Sequence, residues 1–292
     1  MRAIGQVGPR RPADLRVFGG GLREGGLSYL PCMLPGVRVD AAVMREPVER
    51  HRRVDPVVVP SDLRVVHAAG RAGAFTCGLD DAVRYPFEAA DPVRAFPAYR
   101  GQRSYPGWWW SSTTGGHVVF ESWLERHHIM EFDRRPDVTG ISGQPFALVW
   151  TEDLKRRSHV PDLFVRHRDG SATVVDCRPV NRADEDFYRN AAVTAGVCEA
   201  VGWAYLMAGT PRPVRAANLR WLAGYRRRYV RDDRVADALL GLAAAPVSLI
   251  GVAQSVGDPV AVLPTVFHLL WCGALVADLD RPLADESLVW AG

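Results

Sequence analysis

Lysine is almost missing from this chain. Of the 36 lysine and arginine residues in a sequence of 292, only Lys155 is a lysine. Any other site that needs a positive charge must therefore use arginine, whose guanidinium is planar and is not deprotonated in a protein. Cysteine is scarce as well: five residues (32, 77, 177, 198, 272), an odd number at wide spacing with no Cys-x-x-Cys pair. Neither a disulfide framework nor a zinc site is supported by that pattern. No run of about eighteen apolar residues occurs, so no membrane span is expected. Residues 1–16 lack the apolar core of a signal peptide, which makes the cytoplasm the expected location. The glycines at 19–21 do not continue into the GxGxxG pattern of a dinucleotide site. A net charge of +3 is too small to announce nucleic-acid binding by composition alone.

What is present is ordinary globular material, 48% apolar and 24% charged, enough for one large domain or two to three small ones. Its most informative stretch runs Val160-Pro161-Asp162-Leu163-Phe164, with Asp176-Cys177-Arg178 following. Both aspartates border short apolar or alternating runs, 163–165 and 172–175, and Arg168-Asp169-Gly170 supplies a hairpin turn between them. Two acids are thereby delivered on adjacent strands. Upstream, residues 120–132 carry apolar side chains at 120, 123, 124, 129, 130 and 132, the spacing of an amphipathic helix. Glu121 and Glu125 lie four apart and share a face of it. A helix that offers a glutamate to two strand-borne aspartates is suited to Mg²⁺, a hard ion that takes oxygen ligands and works on phosphates.

These residues resemble the PD-(D/E)xK nucleases, and among them the TnsA-like endonuclease subunits of heteromeric transposases. The resemblance covers roughly residues 100–210 and continues more loosely to the C-terminus. It rests on Ser122 to Glu125 in the helix, Gln144-Pro145 in a following strand, Pro161-Asp162-Leu163-Phe164, and Asp176-Cys177-Arg178-Pro179, in the family's order and spacing. It implies that Glu125, Asp162 and Asp176 hold Mg²⁺, or Mn²⁺ in its place, with the Cys177 backbone carbonyl as a further oxygen. Glu121 is the alternate helical acid, and Gln144 is a further candidate. Arg178 stands where the family has lysine and would stabilise the transition state. The implied fold is α/β: a restriction-endonuclease-like mixed sheet flanked by helices (101–210), a loop- and strand-containing N-terminal extension (1–100) and a C-terminal helical, winged-helix-like domain (211–292). The implied activity is phosphodiester hydrolysis of one strand at each end of a transposon, on double-stranded DNA. The implied partners are a DDE-type transposase subunit, which cuts the other strand, and an AAA+ regulator. Two alternatives stay open: a catalytically silent adaptor that binds DNA ends and transposition partners, with Arg178 as the silencing change, and a restriction-type nuclease.

Elsewhere the signals are local. Residues 1–60 read as loops or a poorly ordered extension, and 62–67, 74–77 and 83–87 as short strands. Tyr99, Gln102 and Arg103 precede a run of three tryptophans, 108–110, which cannot all enter one core from a regular strand. Tryptophans pinning this segment to the core are favoured over contacts from Arg103 and a tryptophan to DNA. His117, His127, His128 and His159 lack regular zinc-ligand spacing. Lys155-Arg156-Arg157 and Arg226-Arg227-Arg228 with Arg231 are basic clusters suited either to phosphates or to solvated turns. Helices are expected over 184–201, 214–229, 234–244, 247–256 and 260–272, and strands over 203–207, 273–278 and 287–290. The last of these helices is too apolar to read a DNA groove, which favours a protein partner for the C-terminal module.

Overall fold

The computed structural model describes residues 50–68, 73–94 and 105–292, all within one compact unit. The glycine runs of the N-terminus, Tyr99, Gln102 and Arg103 lie outside the described residues. The chain enters along 50–63 and then forms β1 (Arg64–Ala68) and β2 (Ala74–Cys77), followed by one turn of helix, α1 (Leu79–Ala82). The strand expected over 83–87 is instead a turn that ends in a 3₁₀ segment, Phe87–Ala89. Pro86 has no N–H to give a ladder, and Phe87 is drawn fully into the core. The tryptophan run forms β3 (Gly107–Trp110), paired with β4 (His117–Phe120). Its alternation is plain: Trp108 is 63% exposed and Trp109 is buried.

Next comes α2 (Trp123–Asp133), capped by Ser122. After it, β5 (Val138–Gly143) and β6 (Ala147–Glu152) belong to different sheets. The switch is made by Gln144, at φ 51°, and by Pro145, a residue that cannot extend a ladder. Just before it, Gly143 passes so close to β4 that a Cβ there would sit 2.3 Å from the Val119 carbonyl oxygen. Then follow β7 (Lys155–His159), β8 (Leu163–His167), β9 (Ala172–Cys177), α3 (Glu185–Val201) and β10 (Ala204–Ala208). One sheet has the order β2-β1-β6-β7; the other is β10-β9-β8-β5, mixed because β10 runs parallel to β9. The basic residues at 155–157 thus lie on an antiparallel edge strand.

Strand alternation divides the interior in two. Leu163, Val165 and Val175 face α2 through Ile129, Met130 and Phe132, whereas Phe164, Ala172 and Val174 face α3 and the β1/β6 layer through Val197, Leu148 and Trp150. The remaining elements are α4 (Pro213–Leu222), α5 (Asp233–Leu242), β11 (Val247–Ser248), α6 (Leu249–Val256), α7 (Pro259–Trp271), β12 (Leu275–Ala277) and β13 (Leu288–Ala291). They form a helical group with a three-stranded sheet, β11-β13-β12. The long helix expected over 214–229 is broken after Leu222 into two 3₁₀ turns. Among the described residues the protein is therefore mixed α/β with seven α-helices, and no helix is long and apolar enough to cross a membrane.

The apolar face of α2 shares one continuous core with α7, β12 and β13. At its C-terminal end the buried Asp133 gathers the 111–113 loop, accepting hydrogen bonds from Trp109 Nε1 (2.9 Å), Ser111 Oγ (2.6 Å) and the backbone N–H of Thr113 (2.8 Å). Trp109 is thus held in the core, as the pinning reading expects.

Candidate active site

Ser122 and Glu125 form a reciprocal cap at the N-terminus of α2. Ser122 Oγ accepts from the Glu125 N–H (3.1 Å), while the Glu125 carboxylate accepts from Ser122 Oγ (2.8 Å) and from the Glu121 N–H (2.7 Å). The Ser-x-x-Glu motif therefore has a structural task that fixes where the glutamate sits. Asp162 lies just before β8 and opposite the end of β9, where its Oδ2 accepts from the Cys177 N–H at 2.6 Å. Burial pushes its carboxyl well above the usual range, and the charges of Glu125 and Asp176, with Glu121 behind them, push it further. Burial likewise raises Glu125, against the lowering effect of its own hydrogen bonds and of Arg94. The three acids read from the sequence share one electrostatic neighbourhood, with Glu121 at its margin.

Asp176 is the most tightly held of them. It is buried, with His159 Nε2 donating to its oxygens at 2.9 and 3.0 Å and the Tyr205 hydroxyl donating at 2.6 Å. Tyr205 is in turn pushed well above its ordinary range by burial and by the charge of Asp176. Gln144 is buried at the sheet switch, where its N–H donates to the Asp162 carbonyl (2.9 Å). Its Oε1 accepts from Arg94 Nε (3.0 Å), which fixes the amide orientation and leaves Nε2 buried without an acceptor. Arg94 also donates to Glu121 Oε2 at 2.9 Å. A buried N–H₂ on the residue whose backbone binds the Asp162 carbonyl is a donor with room for an acceptor oxygen.

Arg178 is placed differently. Its guanidinium is exposed, donates to the Arg182 carbonyl (3.2 Å) and lies 6.0 Å from the Phe187 ring. No ion pair links it to the acids among the described residues. Its backbone stays in place, with the N–H donating to Ala208 and the carbonyl accepting from His51 Nε2 at 2.6 Å. In this conformation, no three His, Cys, Asp or Glu side chains among the described residues converge to hold an ion. The reason is visible in the bonds: one carboxylate is turned to its helix cap, one to the Cys177 peptide and one to His159 and Tyr205. Arg94 and Tyr205 escaped the sequence reading, and His159 was noted only as a histidine without zinc-ligand spacing. Only His159, three residues before Asp162, carried any signal.

Behind the site, α2 is tied to α4 by the buried pair Glu131–Arg215, two parallel bonds of 2.6 and 2.9 Å, with His127 Nε2 at 3.6 Å from the same carboxylate. The neighbouring His128 donates from Nε2 to the Gly209 carbonyl (2.9 Å). Burial, aided by the proximity of His127, pushes His128 down to about 4. Its folded value is thus depressed below an unfolded value of about 6.5, so the native protein takes up fewer protons in between. Stability is expected to fall as pH drops from about 6.5 to about 4, by up to about 3 kcal/mol from this residue. Urea denaturation of wild type and His128→Gln across that window checks it. The difference between the two curves should widen with falling pH, and parallel curves refute it.

The sequence matches no family model and no curated protein.

Proposed function

We propose that the chain is a metal-dependent DNA endonuclease of the TnsA-like class, cutting one strand at a transposon end beside a DDE-type transposase and an AAA+ regulator. The observation that carries the reading is Asp162, whose carboxyl accepts from the Cys177 N–H at 2.6 Å and is raised by burial and by the charges of Glu125 and Asp176. The donor set fits Mg²⁺ or Mn²⁺: hard carboxylate oxygens from one helix and two strand ends, each with lone pairs beyond its present hydrogen bonds. The sheet β10-β9-β8-β5 between α2 and α3 supports a restriction-endonuclease-like core. The group α5–α7 with the β11-β13-β12 sheet supports a winged-helix-like module. Its α7 is enclosed in the core through Val262, Val266, Leu269 and Leu270, which favours a protein partner over groove reading.

Glu125, Asp162 and Asp176 would hold the ion, which supplies Lewis-acid stabilisation of the phosphate and a nucleophilic water near neutral pH. His159 and Tyr205 keep Asp176 oriented. Gln144 Nε2 offers a hydrogen bond to a non-bridging phosphate oxygen or to the attacking water, a donor already in place before charge develops. Arg94 balances Glu121 and holds the Gln144 amide. Arg178 reaches the phosphate only by leaving the Arg182 carbonyl.

The test is nicking of a transposon-end duplex with Mg²⁺ or Mn²⁺ and the neighbouring transposase present, for wild type and Asp162→Ala. Equal activity of the two proteins rules the assignment out. The placement of Arg178 favours one second reading, a silent adaptor at DNA ends. On that reading wild type is inactive with every partner supplied and Arg178→Lys gains cleavage.

A further inference from the structure

We infer that a ladder of alternating aromatic rings and guanidinium groups, running from the N-terminus of α2 to the segment after α4, is a binding surface for the phosphodiester backbone of DNA. The rungs are in contact one after another. Tyr105 packs on Trp123 (centroids 5.8 Å apart), and Arg126 lies over both Trp123 (5.0 Å) and Trp109 (5.4 Å). Arg226 lies over Trp109 (4.3 Å) and Trp110 (5.8 Å), and Arg227 over Trp110 at 4.0 Å. One end adjoins the acids, because the Tyr105 N–H donates to the Glu121 carbonyl at 3.0 Å. The other end reaches the C-terminal helices.

Charge identifies the partner. Arg126, Arg220, Arg226 and Arg227 form no ion pair among the described residues. Burial lowers Arg126, and the charge of Arg220 lowers it further; burial lowers Arg226, where Asp133 works against the lowering and the charges of Arg227 and Arg126 add to it. By contrast, Arg228 and Arg231 of the same run both pair with Asp233. The protein thus neutralises one half of this basic run and leaves the other half repelling itself across indole faces. Such a cluster is relieved by a polyanion whose charges are spaced along a line. Trp123 and Tyr105, 56% and 60% exposed, offer π-faces at the acid end, where a distorted or unpaired base can stack. DNA binding here is independent of hydrolysis; only its role in guiding a strand to Asp162 rests on the nuclease reading.

The test is fluorescence anisotropy of the full chain with a labelled duplex of about 20 base pairs, in chelator, so that no cleavage occurs. The variant is Arg126→Gln/Arg220→Gln/Arg227→Gln, since none of these side chains makes a hydrogen bond among the described residues. The control, Arg53→Gln/Arg234→Gln/Arg281→Gln, removes the same charge from exposed positions elsewhere. Affinity is expected to fall at least tenfold in the ladder variant and less than threefold in the control. The slope of log K against log salt should flatten by about three, close to one per lost phosphate contact. Arg220→Gln alone should flatten it by about one, which keeps the test open if the triple variant does not fold. Equal losses in both triple variants, or wild type that binds anionic vesicles but no duplex, overturn the proposal. Wild type that binds DNA but never cleaves it overturns the nuclease reading and leaves the ladder standing.

Discussion

Replacing Asp162 with asparagine is expected to abolish cleavage, by about 10³-fold or more, while making the protein more stable. Asparagine keeps the volume and the acceptor that the Cys177 N–H requires at 2.6 Å. It removes a negative charge that is part-buried and pressed by Glu125 and Asp176. A carboxyl whose folded pKa is raised costs stability above its unfolded pKa and costs less as pH falls and the acid is protonated. The gain from Asp162→Asn should therefore be larger at pH 8 than at pH 5. An increase of about 1–2 kcal/mol at pH 8 corresponds to a few degrees in Tm for a chain of this size. Mn²⁺ should reverse the order by stabilising wild type and leaving the variant unchanged. A variant less stable than wild type at pH 8 without metal would show that Asp162 is held as a structural anion. A fully active one would remove it from the chemistry.

That opposition between stability and function explains which parts of the site are legible from sequence. Asp162, Asp176 and Glu125 announce themselves because their positions break local expectation: acids at strand ends beside apolar runs, and a glutamate behind a serine cap. Glu125 and Asp176 both raise the Asp162 carboxyl by their charge, although the three do not converge on one point. Gln144 was legible as part of a Gln-Pro pair, but the reason for that pair, a left-handed residue where the chain changes sheets, needs tertiary structure. Arg94, His159 and Tyr205 had no comparable signature. Each acts through a contact made across the fold: Arg94 reaches Gln144 fifty residues on, and Tyr205 reaches Asp176 across a parallel strand pair.

The same distinction governs the fold. Element type followed from periodicity wherever one face is buried, as in α2, α3, α7, β8 and β9. It failed at 83–87, where apolar residues feed a 3₁₀ turn because Pro86 bars a ladder, and after Leu222, where an arginine-rich stretch lacks the apolar stripe that would extend α4. The strand β7 was read as a basic cluster. An edge strand with both faces part-exposed has no alternation to display, and its charged residues guard the edge against further pairing.

Breaking the Glu131–Arg215 pair is expected to give the largest loss of stability in the molecule. Burial alone would raise Glu131, but the bonds from His127 and Arg215 and the Arg215 charge hold it well below the usual carboxylate range. Glu131→Ala leaves the Arg215 guanidinium enclosed with two donors unpaired, at a cost of about 3–5 kcal/mol. Arg215→Ala should cost a similar amount through the stranded carboxylate. Replacing both with apolar residues of similar volume, Glu131→Leu with Arg215→Met, should recover most of either loss, because the pair's attraction mainly offsets its own desolvation. A double-mutant cycle in urea measures this, and additive losses would contradict it. The site feels the same bond. Glu131 lies on α2, six residues after Glu125, and Arg215 lies on α4, just before the segment that carries Arg226 and Arg227. The pair therefore fixes the helix that presents Glu125 against the helix that leads to the arginine ladder. If that coupling matters, Glu131→Leu/Arg215→Met should keep duplex affinity near that of wild type. Glu131→Ala should lose affinity even at temperatures where it is still folded.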